Sequence, residues 1–287
     1  MLEIRELHKG YKNKEVLKGI SFRCQRGEIV SLLGANGSGK TTLFKTILGL
    51  LKPDKGEVLL DGMPLNRKEA GYLPEERSLF QDCTVERQLR LMAAMKGIKK
   101  ESDEQNIEHW LTRLDLKKYE HKKPFELSKG NQQKVQLAME LISEPSCVIM
   151  DEPWTGLDRD NIEIFQKTLL ELKRKDCVIL LSSHQHQQVQ QICDRYLYLQ
   201  GGKLTINVTR EQLRNSQWRI VSVEAEEPFY FADDDILQEY RQSGRISYLT
   251  AGERQGYRLM EKLRKCREVS SFALRRININ DLLAEAA

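Results

Sequence analysis

Short apolar runs separated by turns characterise the start of the chain. Residues 2–7 alternate between apolar and polar side chains, and residues 16–24 are mostly apolar. A third apolar run, Glu28–Leu33, ends at a glycine-rich stretch. Alternation and short apolar runs of this length predict strands. A helix is predicted from about residue 40 to residue 50, closed by Pro53 and the turn that follows it.

The middle third of the chain has the periodicity of helices. Apolar residues recur at three- and four-residue spacing in residues 84–95 and 103–114, and again after Gly130. Apolar runs with the length of buried strands return at residues 147–150 and 178–181, each followed by a helical segment. Strands that alternate with helices predict an α/β fold, with a mainly parallel sheet covered by helices on both faces.

A break at Gly201 and Gly202 divides the chain into two parts with different patterns. Residues 1–205 contain all of the motifs described below, and residues 206–287 contain none of them. The second part alternates short strands with short helices, so we expect a small α+β domain there. The strands are predicted at residues 220–223, 246–249 and 269–274, and the helices at residues 234–241 and 281–286.

Composition restricts the class of protein. With 287 residues, of which 40% are hydrophobic and 31% charged, the chain has the balance of a soluble globular protein. Its net charge of +4 is too small to indicate a nucleic-acid-binding surface. No apolar run approaches the roughly 18 residues of a membrane-spanning helix, and residues 1–6 lack the pattern of a signal peptide. The six cysteines are scattered, which indicates reduced thiols and a cytoplasmic protein.

The glycine-rich stretch after the third strand fits the pattern G-x-x-x-x-G-K-[ST]. It reads Gly34-Ala35-Asn36-Gly37-Ser38-Gly39-Lys40-Thr41 and is followed by Thr42. Glycines let the backbone wrap so that several N–H groups face phosphate oxygens, and the helix that follows adds the positive end of its dipole. Lys40 is then placed to reach the outer phosphates, and the Thr41 hydroxyl to bind Mg²⁺. An ordinary glycine-rich turn is the alternative, but the match lies between a strand and a helix, where a phosphate loop belongs.

Two acids follow the apolar run at residues 147–150. Asp151 ends that strand and is placed to hold Mg²⁺ through water, while Glu152 can polarise the attacking water as a general base. An acidic surface loop is the alternative for this pair. His184 follows the next predicted strand and is a candidate sensor of the γ-phosphate, with a structural histidine as the alternative. His186 is predicted to be a surface residue.

A Leu-Ser-x-Gly segment precedes Asp151 by about twenty residues and reads Leu127-Ser128-Lys129-Gly130-Asn131-Gln132-Gln133. With the phosphate loop, the acids and His184, it resembles the nucleotide-binding subunit of ATP-binding cassette (ABC) transporters. The family's signature loop is usually Leu-Ser-Gly-Gly-Gln, which kinases and GTPases with a phosphate loop lack. The resemblance covers residues 1 to about 205. It implies a phosphate-loop fold of the ABC ATPase type with a helical subdomain at about residues 76–143.

The resemblance implies roles for further residues. It implies that Tyr11 stacks on adenine, with a half-buried strand tyrosine as the alternative, and that residues 34–42 bind ATP. Asp158 lies in a segment that looks like the family's partner-contacting loop, and Glu75 in one that resembles its coupling loop to the membrane subunits. The signature positions implied to face the ATP of a partner subunit are Ser128, Lys129, Gly130 and Asn131.

Two departures from the family pattern concern rate and coupling. Glu75 stands where the family usually has glutamine; its carboxylate can still bind Mg²⁺, but it adds negative charge beside the phosphates. Residues 73–77 resemble a subgroup in which such a glutamate is the norm, so we expect an active enzyme. In the signature, Lys129 and Asn131 replace the usual glycine and glutamine, while the serine and the second glycine are retained.

These features imply an ATP-hydrolysing subunit that uses ATP and Mg²⁺ and works as one of a pair, most simply a homodimer. Closure of the pair on ATP is expected to drive separate transmembrane permease subunits, with this chain on the cytoplasmic face of the membrane. The layout of residues 206–287 resembles the extra C-terminal domain of sodium and drug-efflux exporter subunits, which favours export. No nucleic-acid partner is expected. The alternative is a non-transport cassette ATPase acting on ribosomes or nucleic acid, which usually carries two cassettes in one chain.

Overall fold

A computed structural model describes residues 1–12, 14–98, 100–184, 186–225, 230–242 and 245–286. The chain divides into two compact units, Met1–Asn207 and Val208–Ala287. Sequence pattern places this boundary two residues earlier.

The first unit is built from strands and helices that alternate for most of its length. Its strands are β1 (Leu2–Tyr11), β2 (Lys14–Cys24), β3 (Ile29–Leu33), β4 (Lys55–Leu60), β5 (Met63–Pro64), β6 (Ala70–Leu73), β7 (Cys147–Met150), β8 (Val178–Ser182), β9 (Arg195–Gln200) and β10 (Lys203–Thr209). Its helices are α1 (Lys40–Ile47), α2 (Val85–Lys96), α3 (Lys100–Arg113), α4 (Lys129–Leu141), α5 (Arg159–Arg174) and α6 (His186–Ile192).

The central sheet has the strand order β10-β9-β3-β8-β7-β6. β3 pairs in parallel with β8 and β9, and β7 pairs in parallel with β6 and β8. Every residue of β3, β7 and β8 is buried, which is why these strands are continuous apolar runs in the sequence. The α/β fold with a mainly parallel sheet is therefore confirmed. Because the strands are parallel, the segments that follow β3, β6, β7 and β8 meet at one edge of the sheet.

A second, antiparallel sheet has the order β2-β1-β4-β5. β1 contains bulges on its β2 side, where the register shifts between Ile4 and Leu7 and again between Lys9 and Gly10. The core of the unit includes buried residues of both sheets and of α1. Representative members are Leu7, Leu17, Leu32, Phe44 and Leu180.

Between β6 and β7 in the sequence, the chain forms a helical region that contains α2, α3 and α4. Thr84 caps α2 through its side chain, which accepts a hydrogen bond from the Arg87 amide, and Gly97 ends the helix with a left-handed φ of 79°. α2 packs against α3 and α4, with Leu89, Trp110 and Val135 buried. These helices correspond to those predicted from the periodicity of residues 84–95, 103–114 and the segment after Gly130.

The second unit is a four-stranded antiparallel sheet with helices. Its elements are α7 (Arg210–Asn215), β11 (Arg219–Ala225), β12 (Gln238–Gln242), β13 (Arg245–Thr250), α8 (Glu253–Leu263), β14 (Val269–Arg276) and α9 (Ile279–Ala286). The strand order is β12-β13-β11-β14. α8 packs on one face, where Val221, Tyr248, Leu259 and Leu263 form the core.

In the second unit, sequence pattern predicts one wrong element and does not predict two helices, α7 and α8. The helix predicted at residues 234–241 is wrong, because residues 238–242 form β12 and pair with β13. Tyr240 is buried and its neighbours Glu239 and Arg241 are polar, which is the alternation of a strand in a segment too short to show it clearly. α8 was missed because its apolar residues stand among many charged ones. Its Leu259 and Leu263 are four residues apart, on one helix face.

Candidate functional site

The phosphate loop joins β3 to α1 in a tightly wrapped backbone. Gly34, Gly37 and Gly39 have φ values of 155°, 76° and 107°, in the region that side chains disfavour. A Cβ on Gly34 would lie 2.5 Å from the Leu199 carbonyl oxygen and 2.7 Å from the Ser38 Oγ. Glycine is therefore required at this position for both conformation and space.

The loop presents hydrogen-bond donors to its hollow. The Leu43 amide donates to the Gly39 carbonyl at 2.8 Å, and the amides before it lie in the first turn of α1, where N–H groups have no intrahelical partner. Gly39, the N-cap, makes no side-chain cap. The Ser38 hydroxyl is buried and has no partner in the described part of the chain. A polyphosphate is the group these donors fit, since it also meets the positive end of the helix dipole.

Lys40 supplies a cation at the same place. Its ammonium group donates to the carbonyl oxygens of Gly34 at 2.8 Å and Ala35 at 3.2 Å, and the residue is 9% exposed. A cavity of about 680 Å³ opens beside it. The residues that line this nucleotide cavity are Val16, Asn36, Gly37, Gly39, Lys40, Thr41, Thr42, Glu75, Asp151, Glu152 and His184.

Asp151 lies directly opposite the phosphate loop. Its carboxylate accepts hydrogen bonds from the Thr41 hydroxyl at 2.6 Å and from the Ser182 hydroxyl at 2.5 Å, and the residue is 2% exposed. Within the described residues, no three acidic, histidine or cysteine side chains are grouped to hold a metal by themselves. Thr41 and Asp151 instead fit Mg²⁺, which keeps several waters and takes phosphate oxygens as ligands beside one or two carboxylates.

Glu152 is oriented by its neighbours. Its carboxylate lies 2.8 Å from the His184 Nδ1 and accepts a hydrogen bond from the His184 amide at 3.1 Å. Its own amide donates to the Ser182 hydroxyl at 2.9 Å. Glu152 has a φ of 50°, a strained conformation for a side chain of this type, and is only 6% exposed. A carboxylate and an imidazole held together at a cavity wall can accept a proton and contact a bound oxygen.

Glu75 and Tyr11 are both predicted to lie at the nucleotide, but only Glu75 lines the cavity. Glu75 follows β6, is exposed and lines the nucleotide cavity. Tyr11 ends β1 opposite Lys14, is 47% exposed, and is not among the residues that line the cavity. The cavity wall near β2 is instead provided by Val16, whose Cγ1 lies 3.0 Å from where a Gly39 Cβ would stand.

Sequence reasoning missed Val16 and Ser182. Val16 is one of many apolar residues in a strand, so nothing in the sequence distinguishes it. Ser182 stands at the end of a buried strand directly before Ser183 and His184, and this placement of a small polar residue is the signal that was available. The structure shows that the Ser182 hydroxyl contacts both acidic positions, through the side chain of Asp151 and the amide of Glu152.

The signature residues lie outside the nucleotide cavity. Ser128 caps α4, accepting a hydrogen bond from the Asn131 amide at 3.2 Å, and both Ser128 and Lys129 are exposed. A Cβ on Gly130 would lie 2.5 Å from the Asn161 Nδ2, so glycine allows α4 to approach the start of α5. α5 is in turn capped by Asp158, which accepts a hydrogen bond from the Asn161 amide at 2.9 Å. The structure thus brings the signature and Asp158 together, and neither is among the residues that line the nucleotide cavity.

This fold and cavity define a phosphate-loop nucleotide hydrolase, with the loop after β3, the acids after β7 and the histidine after β8. A protein-family model described as ABC transporter matches residues 17–155. An uncharacterized ABC transporter ATP-binding protein of Bacillus subtilis, YhaQ, is 32% identical over 291 residues, covering 99% of this chain and 98% of the relative. The chain belongs to the ABC transporter ATP-binding proteins. It binds ATP and is an ATP hydrolase of the ABC type.

Solved structures agree with this assignment. One described as the ATP-binding subunit of an ABC transporter has a TM-score of 0.70 and 33% identity, covering 75% of this chain and 92% of that chain. The dimeric structure of MJ0796, described as a bacterial ABC transporter cassette, has a TM-score of 0.67 and 25% identity, covering 73% of this chain and 98% of that chain. The family resemblance and the fold class are both confirmed. Across the described residues, no helix has the length and apolar character needed to cross a membrane.

Proposed function

We propose that this chain is the ATPase subunit of an ABC exporter, in which two copies close on ATP and drive separate transmembrane permease subunits. The observation that carries this proposal is the division of the functional residues. Lys40, Asp151 and Glu152 line one cavity, whereas Ser128 and Gly130 lie outside it. A reaction that needs both sets therefore needs two chains, each completing the other's site.

Each chain's own cavity supplies the hydrolytic groups. The backbone amides of the phosphate loop and Lys40 offset the charge on the phosphates. Thr41 and Asp151 would hold Mg²⁺, which supplies further charge compensation when bound, and Glu75 faces the same cavity. Glu152 is placed as the general base for the attacking water, and His184, bonded to it, as the sensor of the γ-phosphate. Tyr11 is proposed to stack on the adenine.

The partner chain is proposed to supply the signature. Ser128, Lys129, Gly130 and Asn131 begin α4, and the amides of its first turn, with its dipole, favour an anion. Asp158, which begins the neighbouring helix, is proposed to contact the partner. The dimeric arrangement of the MJ0796 cassette supports pairing of this kind. The two copies form a homodimer in this proposal.

A second surface feature of the first unit fits a membrane partner. A groove of about 680 Å³ lies between the central sheet and the helical region and is lined by Leu50, Tyr72, Phe80, Met95 and Met139, among others. Phe80 is 51% exposed and Met95 is 67% exposed, although both are large and apolar. Exposed apolar side chains grouped in a groove mark an interaction site, and methionines adapt to a docked helix.

Charged and polar groups stand at the margin of this groove. Glu140 accepts a hydrogen bond from the Tyr72 amide at 3.0 Å and lies 3.7 Å from the Lys96 ammonium. Burial raises the pKa of Glu140, while these two partners act to lower it. Burial and the charges of Asp151 and Glu75 raise the pKa of Tyr72 to about 12. We propose that a cytoplasmic segment of a permease subunit docks in this groove, which places the chain on the cytoplasmic face of the membrane.

The direction of transport is proposed from the sequence. The second unit and Glu75 resemble features of exporter subunits. Relatives of this chain include ATP-binding proteins named for export and others named for import, at 27% and 31% identity respectively. Family membership alone therefore leaves the direction open, and export is the hypothesis that the layout of residues 206–287 favours.

Glu152→Gln tests the proposal, with Lys40→Ala and Arg90→Met as controls. The glutamine keeps the size of the side chain but removes the base, so turnover should fall by about a thousandfold while ATP binding persists. Light scattering should then show an ATP-dependent dimer. Lys40→Ala should lose turnover without forming that dimer, and Arg90→Met, at a surface position of α2, should retain turnover. Wild-type turnover per chain should rise with protein concentration, because the active form is a dimer. Normal hydrolysis by Glu152→Gln would show that Glu152 is not the general base.

A further inference from the structure

Neighbouring residues of the segment after β6 contact three different parts of the first unit: the nucleotide cavity, the groove and the segment that follows Glu152. Glu75 lines the nucleotide cavity, and Pro74 and Ser78 line the groove proposed for the membrane partner. Arg77 reaches neither, and extends instead to the segment that follows Glu152. Five consecutive residues thus touch all the parts that must act together if docking is to affect hydrolysis.

Arg77 contacts the backbone immediately after the acids. Its Nη2 donates to the Thr155 carbonyl oxygen at 3.4 Å, and lies 3.4 Å from where a Cβ on Gly156 would stand. The Thr155 amide in turn donates to the Glu152 carbonyl at 3.1 Å. Two hydrogen bonds and one residue therefore separate the guanidinium from the backbone of Glu152. Gly156 has a φ of 74°, so the turn that Arg77 contacts also depends on glycine.

The other end of the connection is held by α4. The Gln136 side chain donates to the Glu76 carbonyl at 3.4 Å, and Gln136 also lines the groove while being only 4% exposed. α4 is the helix that begins with the signature. Glu76 and Arg77 therefore lie between α4 and the segment that follows Glu152.

Residues 76–77, with their contacts to Gln136 on one side and Thr155 on the other, form a joint between these two segments. Several buried polar atoms in the joint have no hydrogen-bond partner within the described residues. Four buried side-chain atoms have no partner within the described residues, and they are Arg77 Nε, Gln136 Oε1, Trp154 Nε1 and Thr155 Oγ1. Buried polar atoms in folded proteins are nearly always paired, so unpaired atoms on both residues of the Arg77–Thr155 contact, and on neighbouring Gln136 and Trp154, require an explanation. Both hydrogen bonds that cross the joint, at 3.4 Å, are also longer than usual for an N–H donor and an oxygen acceptor. Donors and acceptors are thus available for a tighter arrangement.

We propose that Arg77 is a positioning residue for ATP hydrolysis, which holds the Thr155–Gly156 backbone and so aligns Glu152 with the cavity. The joint tightens when the groove is occupied or the chains pair, because its unpaired atoms then find partners. This inference rests on the proposed roles of Glu152 and of the groove. Arginine suits the task because its planar fork donates several hydrogen bonds at fixed angles.

The test compares Arg77→Met and Arg77→Lys in the full chain, with Arg90→Met as the matched control. Methionine keeps most of the side-chain stem and removes the donors, so kcat should fall by about tenfold through misalignment of Glu152. KM for ATP should stay within about twofold, since Arg77 does not line the nucleotide cavity. The number of ATP molecules bound per chain should be unchanged. Arg77→Lys, which retains a donor, should recover most of kcat, and Arg90→Met should match the wild type.

Three outcomes would overturn the inference. The first is a wild-type kcat in Arg77→Met, and the second is a loss of kcat matched by a loss of ATP-binding sites, which would show that Arg77 supports the fold and does not position Glu152. The third is a kcat in Arg77→Lys as low as in Arg77→Met. Glu152→Gln assayed in parallel separates the two proposals: if it is inactive while Arg77→Met is normal, only the Arg77 role fails. If Glu152→Gln turns over normally, the proposed base role fails as well.

Discussion

The nucleotide cavity and the signature surface of the first unit differ in how complete each is within one chain. In the cavity, Lys40, Asp151 and Glu152 are each less than 10% exposed, and the side chain of each makes hydrogen bonds with another segment of the chain. At the signature, Ser128 and Lys129 are exposed, and the hydrogen bond of Ser128 stays within its own helix. The cavity is therefore preorganised by the fold, whereas the signature is exposed and, in the proposed function, meets its ligand on a second chain.

The exposed parts of the first unit are the candidate contacts with other chains. In the proposed function, Ser128 is such a position, since the fold orients it as the cap of α4 and leaves it exposed to a second chain. The groove shows the same property for apolar groups, since Phe80 and Met95 are exposed beside buried neighbours. We therefore interpret the cavity as a site that one chain forms by itself. We interpret the signature and the groove as surfaces that another chain contacts.

Ser128→Asp should give the largest effect on this comparison. Aspartate can still cap α4, so the helix is retained, but its charge would face the partner's phosphates. Turnover should fall by about a hundredfold, while ATP binding to the dilute single chain should stay unchanged. Ser128→Asn, which caps without a charge, is the control and should lose only a few-fold. An equal loss in both variants would mean that the lost hydroxyl or the larger side chain, and not the charge, matters.

Met95→Asp tests the groove. A charge placed in an apolar contact should prevent docking, so the fraction of the chain that pellets with membranes from lysed native cells should drop to near the background. ATP hydrolysis by the purified chain should remain within about twofold, since Met95 does not line the nucleotide cavity. Met63→Asp is the matched control because Met63 is 70% exposed and is not among the residues that line the groove. Unchanged pelleting of Met95→Asp would exclude the groove as the docking site.

Tyr11→Ala should give the smallest effect and decides between the two interpretations of this residue. Loss of an aromatic ring from the adenine should raise KM for ATP by about fivefold, because base stacking contributes roughly 1–3 kcal/mol per base. Tyr11→Phe should keep the wild-type KM, and kcat should be unchanged in both. An unchanged KM in Tyr11→Ala would identify Tyr11 as an ordinary strand tyrosine, in line with its position outside the lining of the cavity.

Much of the first unit could be predicted because its elements have strong patterns. β3, β7 and β8 are buried on both sides and therefore appear as uninterrupted apolar runs, and the residues after them carry the chemistry. The phosphate loop could be located because Gly34 tolerates no side chain. Because such positions accept few residue types, their structural role can be predicted from the residues found there.

The rest depends on contacts between residues far apart in the chain. Ser182 and Val16 reach the site only through the pairing of distant strands, and Arg77 meets Thr155 across 78 positions. In the second unit, Tyr240 faces inward from a strand with few apolar residues, and the charged face of α8 conceals its buried leucines. Tertiary packing decides these positions, and one-dimensional patterns do not register it.

The most direct measurement mixes two inactive variants. Lys40→Ala disables the nucleotide cavity and Ser128→Asp disables the signature, so neither should turn over ATP alone. In a mixed dimer, one site combines both defects and the other combines two intact halves, so an equal mixture should recover about a quarter of the wild-type rate. Recovery well above the sum of the separate rates confirms that each site is shared between two chains. No recovery, with mixed dimers shown to form, would contradict the shared site.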